Sequence, residues 1–174
     1  MSPARIPPDV LVEPAPPDHS LADLLLDGEI DAIYAPGAPA GYSPDDGAIR
    51  RLLTDPVRAE RQYFRETQIF PPMHVLVLRR SIVRDHPQLP GELLTAFTAA
   101  KSAAAHAVGE TAEVHAMEPW LYAHAETTRA LMGEDFWPYG LEPNRAALTT
   151  FLRYAHEQGL TSRHRAPEEL FDWH

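Results

Sequence analysis

In the stretch QIFPPMHVLVLRR, residues 68–80, two prolines precede a run from Met73 to Leu78 that is apolar except for His74. A short apolar run of this length is typical of a strand that is buried on both faces of a sheet. The sequence therefore predicts a strand from Met73 to Leu78 with an ionisable group near its start. That histidine is either a structural group hydrogen-bonded to the backbone or a proton donor in a site.

The first forty residues indicate a strand, a helix and a second strand. VLVEP (10–14) is a short apolar run closed by proline, and EIDAIYAP (29–36) is a second apolar strand candidate. Between them, SLADLLLDG (20–28) predicts a helix with Ser20 as N-cap, Asp23 as its capping-box partner and a stop at the glycine. This order is typical of a βαβ unit, and ligands bind at the carboxyl ends of such strands.

The rest of the chain is predicted to be largely helical. Caps, apolar stripes and stop residues predict helices at 54–68, with Asp55 as N-cap, at 89–108, at Pro119–Met132, at Pro143–Gln158 and, briefly, at APEELF (166–171). Gly133 and Gly159 follow two of these helices, and Leu160 is placed for a Schellman contact. The chain is thus predicted to have an α/β lobe over residues 1–87 and a helical region over residues 88–174.

The composition excludes several functional classes. The chain has 174 residues and a net charge of −10, which argues against nucleic acids and anionic membranes as partners. It has no cysteine, no run of 18 apolar residues and no apolar signal segment near its start, so a cytoplasmic location is expected. Lys101 is the only lysine among 15 basic residues, so a clamp for an anion is expected to consist of arginines.

Local motifs for cofactors and metals are not found in the sequence. There is no HxH, HExxH, GxGxxG or GxSxG pattern, and His115, His124 and His156 are spread out. A metal site made from neighbouring ligands is therefore not expected. A site assembled from distant histidines and carboxylates stays open.

Four ordered segments resemble the 4,5-dihydroxyphthalate decarboxylase family: GEIDAIYAPGAP, ERQYFRETQIFPPMHVLVLRR, GEDFWPYGLEPNR and TFLRYAHEQGL, with PEELF after them. The resemblance runs from about Ile6 to Phe171. It implies a type II periplasmic-binding-protein-like fold, of which this chain would form the C-terminal half: a small, mainly parallel sheet with flanking helices, followed by helices. The first lobe of the family has no counterpart here, which would explain why only three strands are predicted.

The resemblance also implies an activity, the non-oxidative loss of CO2 from a dihydroxylated aromatic dicarboxylate. His74 belongs to the FPxMH pattern of the family and would be the general acid, with an arginine holding the carboxylate that stays. No organic cofactor is required by this scheme. One departure is Gly37, which stands where the family is expected to place a basic residue before Ala-Pro.

Six further residues are candidates for contact with a small aromatic carboxylate. Arg61 and Arg65 are helix neighbours four residues apart and could equally pair with Glu60 and Glu66 on a solvated surface. Arg79 and Arg80 would point to opposite faces of a continuing strand. Tyr34 and Tyr63 could contact the ring, although tyrosine is more often part of a core, and Trp137 and Tyr139 are expected to pack helices onto the sheet.

Two other functions stay open at this point. The fold is shared with solute-binding proteins, so the chain could be a non-catalytic module that binds a small molecule. It could also be a shortened and inactive product. In either case, three buried strands make a poor sheet alone, which predicts either a homo-oligomer or pairing with a separate first lobe.

Overall fold

The structure is a computed structural model that describes residues 6–7, 10–44, 47–110 and 116–171. Over these residues it contains the helices α1 (Leu21–Leu26), α2 (Pro56–Thr67), α3 (Arg80–Asp85), α4 (Leu89–Gly109), α5 (Leu121–Met132) and α6 (Leu141–Glu157), and a 3-10 turn (Pro167–Glu169). The chain divides into two compact units, residues 1–60 and 61–174. This boundary lies within α2. The division predicted from the sequence lies between residues 87 and 88, at the expected change from an α/β lobe to a helical region, and this domain division stays a prediction.

The predicted α/β lobe with a small parallel sheet is wrong. Within the described residues no strand is formed at 10–14, 29–36 or 73–78, and the only β-type pairing is an isolated bridge between Tyr42 and Ile49. The described part of the chain is therefore helical, and the periplasmic-binding-protein-like lobe is not supported by it.

Local bonding explains why two of the three predicted strands do not form. The amides of Glu29 and Ile30 donate back to the carbonyl of Leu24, at 2.8 and 3.3 Å, so the start of the second segment belongs to the end of α1. Residues 10–14 end in Pro14 and are followed by Pro16 and Pro17, and proline cannot donate to a ladder. The third segment, 73–78, has no regular secondary structure and is largely exposed, with no neighbouring strand among the described residues.

Helix α1 has both of the caps predicted from the sequence. The hydroxyl of Ser20 accepts from the amide of Asp23, and the Asp23 carboxylate accepts from the amide of Ser20, which is a complete capping box. At the other end, Gly28 has φ +75° and its amide bonds to Leu25, while Glu29 bonds to Leu24. This is a Schellman motif, so the predicted start and stop of the helix are confirmed.

The first unit has a small core under α1. Ala22 and Leu24 are buried, as is Ile49 from the isolated bridge. A Cβ on Gly41 would lie 3.7 Å from Leu26 and 3.9 Å from Ile49, so the turn packs closely between them. Apolar packing of α1 near Gly41 and Ile49 therefore contributes to the core of this unit.

Helix α2 begins and ends through backbone and side-chain caps. The Asp55 carboxylate accepts from the amide of Arg58 at 2.9 Å, which confirms Asp55 as the N-cap. At the other end Gln68 has φ +56°, a left-handed conformation, and its amide donates to Phe64 at 2.8 Å. Its side chain also donates to the carbonyl of Phe64, at 3.1 Å, so the helix end is capped twice by one residue.

Helices α4 and α5 pack against each other in the second unit. The Arg129 guanidinium of α5 donates to the carbonyl of Ala105 near the C-terminus of α4 at 3.0 Å. A cation near the end of a helix interacts favourably with the helix dipole. Within the described residues, no helix is long and apolar enough to span a membrane.

Helix α6 ends at the predicted Schellman motif and is joined to the 3-10 turn. Gly159 has φ +72°, its amide bonds to His156 at 3.0 Å, and Leu160 bonds to Ala155 at 2.8 Å. Leu152 and Ala155 are buried on this helix, as is Pro167 from the turn. Arg145 forms ion pairs with Glu142 and Glu168, and Arg163 forms one with Glu169. These pairs lie around the contact between α6 and the 3-10 turn.

Candidate functional site

The described part of the second unit contains an aromatic cleft where two distant segments meet. After the left-handed Gln68, the chain extends through Phe70 and two prolines, and the Phe70 ring lies 5.4 Å from the Trp137 ring, tilted by 58°. This separation is typical of a favourable aromatic pair. An open cleft beside this aromatic pair has a volume of about 210 Å³. It is lined by Phe64, Gln68, Phe70, Pro71, Pro72, Met132, Asp135, Phe136, Trp137, Pro138, Pro143, Asn144, Ala146 and Ala147.

The turn between α5 and α6, residues 133–140, forms one wall of the cleft and is held by Asn144. The amide nitrogen of Asn144 donates to the carbonyls of Pro138 and Gly140, each at 2.9 Å. Gly133 and Gly140 both have positive φ, at +91° and +94°, so the turn reverses direction at glycines. Asn144 thus satisfies two carbonyls that this irregular turn leaves without helical partners.

The same turn is tied to α4 by Lys101. Its ammonium lies 2.6 Å from Oδ1 of Asp135 and 3.2 Å from the carbonyl of Trp137, and 5.0 Å from the centre of the Tyr139 ring. The Lys101 side chain is only 15% exposed, whereas that of Asp135 is 59% exposed. Sequence reasoning noted Lys101 as the only lysine but missed this role, because its partners lie 34 or more residues away.

Trp137 and Tyr139 were expected to pack helices onto a sheet. Without a sheet in the described residues, Trp137 packs on Phe70 instead, and Tyr139 lies beside the Lys101 ammonium. Two of the segments that carry the family resemblance, residues 60–80 and 133–145, therefore supply most of the cleft. A shared cleft is a physical reason for both segments to be rich in aromatic residues and proline.

His74 lies two residues beyond the cleft wall at Pro72. It is exposed, in the stretch of residues 69–79 without regular secondary structure, and it is not among the lining residues. Its apolar neighbours are also exposed, with Val75 at 62% and Val77 at 80%. His74 is therefore accessible to a ligand, and its predicted catalytic role stays a prediction.

The four predicted arginines lie on helices or at the start of one, and none forms an ion pair with a carboxylate of the described residues. Arg61 is half-buried and Arg65 is exposed, one turn apart on α2. Glu66 accepts from Gln62 at 2.9 Å rather than pairing with either of them. The basic pair begins α3 instead of continuing a strand, with Arg79 as N-cap and Arg80 as the first helical residue, both exposed.

The two predicted tyrosines lie in different surroundings. Tyr63 is on α2 and is 44% exposed, whereas Tyr34 belongs to the first unit and is fully exposed. Neither lines the aromatic cleft. Among residues 6–7, 10–44, 47–110 and 116–171 there is no group of three or more histidines and carboxylates that could hold a metal, and His115 lies outside these ranges.

Comparison with known proteins supports the family resemblance. The chain is 34% identical over 167 residues to a 4,5-dihydroxyphthalate decarboxylase of Comamonas testosteroni, a match that covers 96% of the chain and 51% of that protein. It is also 34% identical over 61 residues, 35% of the chain, to a 4,5-dihydroxyphthalate decarboxylase of Pseudomonas putida. No family model matches the chain.

The chain spans about half the length of the Comamonas protein, which is consistent with the predicted correspondence to one half of the family's length. The matched share of the chain, 96%, includes the cleft, His74 and the candidate arginines, since only a few residues fall outside it. By sequence, the chain is therefore a relative of the 4,5-dihydroxyphthalate decarboxylases, as its motifs predicted.

Proposed function

We propose that this chain takes part in a decarboxylation of the kind named for its relatives, the non-oxidative loss of CO2 from 4,5-dihydroxyphthalate or a similar dihydroxylated aromatic dicarboxylate. The observation that carries the proposal is the identity of 34% across nearly the whole chain. Because the chain spans about half of that relative, the complete site is proposed to need a second polypeptide portion equivalent to the rest of it.

The chemistry requires an acid and a cation. A ring hydroxyl para to the leaving carboxylate pushes electron density into the ring, and an acid protonates the carbon that carries the carboxylate. The bond to the carboxylate then breaks, its electron pair returns to the ring, and neutral CO2 leaves. The product is a dihydroxylated aromatic monoacid, and a site that excludes water favours the loss of charge.

His74 is proposed as the acid because an imidazolium titrates near neutral pH and can donate a proton to carbon. Its exposure is compatible with this role, since a ligand can reach it. Arg61 and Arg65 are proposed to hold the remaining carboxylate, because they lie on one side of α2 and no described carboxylate neutralises them. Arg79 or Arg80, Tyr34 and Tyr63 are proposed as further substrate contacts.

The exposed apolar run at 73–78 supports the proposal of a partner. Several consecutive apolar side chains of this segment are exposed, with Leu76 at 62% and Val77 at 80%. A contiguous exposed apolar surface is typical of a site that another polypeptide covers. We propose a portion equivalent to the rest of the relatives' length as that polypeptide, with a second copy of this chain as the alternative.

The test compares CO2 release in two samples. The chain is assayed with 4,5-dihydroxyphthalate alone and after mixing with a separately produced polypeptide that contains the unmatched half of the Comamonas relative. We expect release in the mixture and much less from the chain alone. Binding of the substrate without CO2 release would favour a ligand-binding module. No binding and no release in a mixture that forms a stable complex would contradict the proposal.

A further inference from the structure

The aromatic cleft beside the Phe70–Trp137 pair is large enough to hold one ring. A cavity of 150 Å³ lined by apolar side chains can bind benzene, and this cleft encloses about 210 Å³. The tilted pair of Phe70 and Trp137 and several prolines form part of its walls. A flat ring with one or two small substituents therefore fits the cleft.

The polar side chains of the cleft define which substituents are accepted. The amide nitrogen of Asn144 is used by two carbonyls, and that of Gln68 by the carbonyls of Phe64 and Arg65. Each amide therefore has only its oxygen, an acceptor, left for a ligand. Asp135 binds Lys101 through Oδ1, and its second oxygen is also an acceptor.

Donors are scarce in the same place. The ammonium of Lys101 is engaged by Asp135 and by the carbonyl of Trp137. The indole N–H of Trp137 is the one side-chain donor of the lining residues without a described acceptor. A carboxylate in the cleft would thus gain at most one such donor and would face the negative charge of Asp135. A neutral hydroxyl can donate to any of the acceptors and accept from the indole.

We propose that the Phe70–Trp137 cleft is a binding site for a neutral phenolic ring, such as a phenol or a catechol, with its hydroxyls directed at Asp135, Asn144 or Gln68. Phenolic hydroxyls keep their proton at pH 7, because their ordinary pKa is about 10. The proposal is independent of the decarboxylation, since the lining residues all belong to the second unit and include none of the proposed catalytic or carboxylate-binding residues.

The test titrates catechol into the full chain. Binding is monitored through the indole N–H signal of Trp137 in nuclear magnetic resonance spectra. We expect saturable binding with a dissociation constant of about 1 mM, a reasonable affinity for a ligand of this size. Benzoate and benzylamine serve as matched rings with a negative and a positive group. Each is expected to bind at least about tenfold more weakly. Benzoate would have at most one free side-chain donor, and the Lys101 ammonium beside Asp135 would repel the cation of benzylamine.

A variant with a filled cleft tests whether catechol binds there. Ala147→Phe places a ring among the lining residues and should weaken catechol binding at least about tenfold. Ala99→Phe, at an exposed position of α4, should leave it unchanged. If Ala147→Phe does not keep the helical circular dichroism of the parent, Phe70→Leu tests the same wall, with an expected loss of about fivefold.

Three results would overturn the proposal. The first is benzoate binding as tightly as catechol, which would indicate an anion site. The second is tighter binding of benzylamine, which would indicate a cation site at Asp135. The third is a Trp137 signal that does not respond to catechol up to about ten times the expected dissociation constant.

Discussion

The ammonium of Lys101 lies 2.6 Å from Oδ1 of Asp135, so the only lysine of the chain joins α4 to the turn that follows α5. The lysine is nearly buried and its partner is exposed, with side chains 15% and 59% accessible. The pair therefore differs from an ordinary surface ion pair, because the lysine also donates to a backbone carbonyl and lies beside an aromatic ring.

Replacing Lys101 by methionine should loosen this turn. Methionine keeps the length and the apolar stem but removes the charge and both hydrogen bonds, so we expect the free energy of unfolding to fall by about 1 kcal/mol. Urea denaturation followed by tryptophan fluorescence measures the change. Arg84→Met is the control, because Arg84 and Asp85 form an exposed pair. Equal effects of the two substitutions would show that Lys101 has no special structural role.

Acid should release the 3-10 turn from Arg163. Hydrogen bonds from the Arg163 guanidinium, then the amide of Ala166, lower the pKa of Glu169 from 4.5 to about 2. A carboxyl group with a lowered pKa stabilises the folded state above its unfolded pKa, and the contribution is lost as the pH falls through the folded value. The turn should therefore stay attached at pH 4.5 and detach as the pH approaches 2.

The amide chemical shift of Ala166, 2.9 Å from the Glu169 carboxylate, reports this transition. In Glu169→Gln the acid transition of that signal should be absent, because the amide side chain does not titrate. Glu157→Gln removes the carboxylate that pairs with Arg153 on α6 and should leave the transition in place. A midpoint near 4.5 in the parent protein is the result that contradicts the prediction.

Two glycine substitutions should change stability in opposite directions. Gly159 has φ +72° at the end of α6, so Gly159→Ala should destabilise the protein by about 1 kcal/mol through backbone strain. Gly91 lies inside α4 with no atom within 4 Å of an added Cβ, so Gly91→Ala should stabilise it by roughly 0.5–1 kcal/mol. Thermal unfolding of the two variants, compared with the parent, tests both signs at once.

His74→Gln tests the proposed acid in the mixture that releases CO2. Glutamine roughly keeps the size of the side chain and removes the titratable proton, so kcat should fall by about 100-fold or more. Stability should change little, because His74 is exposed. His86→Gln is the matched control at another exposed histidine of the same unit. If the folded variant decarboxylates at the parent rate, His74 is not the acid.

Arg65→Gln tests the proposed carboxylate contact. Losing one charge-assisted hydrogen bond should raise KM about tenfold while kcat changes much less, if the arginine holds the substrate equally in the ground and transition states. Arg58→Gln provides the comparison on the same helix, because Arg58 is also exposed and is not among the proposed contacts. A similar KM for the two variants is incompatible with a specific role of Arg65.

The helix ends were predictable because their bonding is local. Ser20 bonds to Asp23, and in the Schellman motif Gly159 and Leu160 bond to residues three and five positions earlier. The structure contains both motifs. Helices α5 and α6 likewise begin within two residues of the predicted positions. Such contacts depend on a few dihedral angles and one or two hydrogen bonds, which the residue types nearly determine.

The strands and the cleft were not predictable in the same way. Apolar runs such as residues 73–78 indicate a preference for burial, but a strand exists only when another segment supplies its hydrogen bonds. In the cleft, Phe70 meets Trp137 and Lys101 meets Asp135 across more than thirty residues of sequence. No periodicity or local motif encodes such pairs, so only the aromatic and glycine-rich character of the turn at 133–140 was visible beforehand.

The position of the single lysine has a practical consequence for chemical labelling. Lys101 is the only side-chain amine of the protein, and its ammonium is engaged by Asp135 and the carbonyl of Trp137. Acylation requires the free amine, so a reactive ester can modify this side chain only when the turn releases it. The acylation rate of one residue therefore reports how often the turn at 133–140 opens, and no engineered probe is needed to read it.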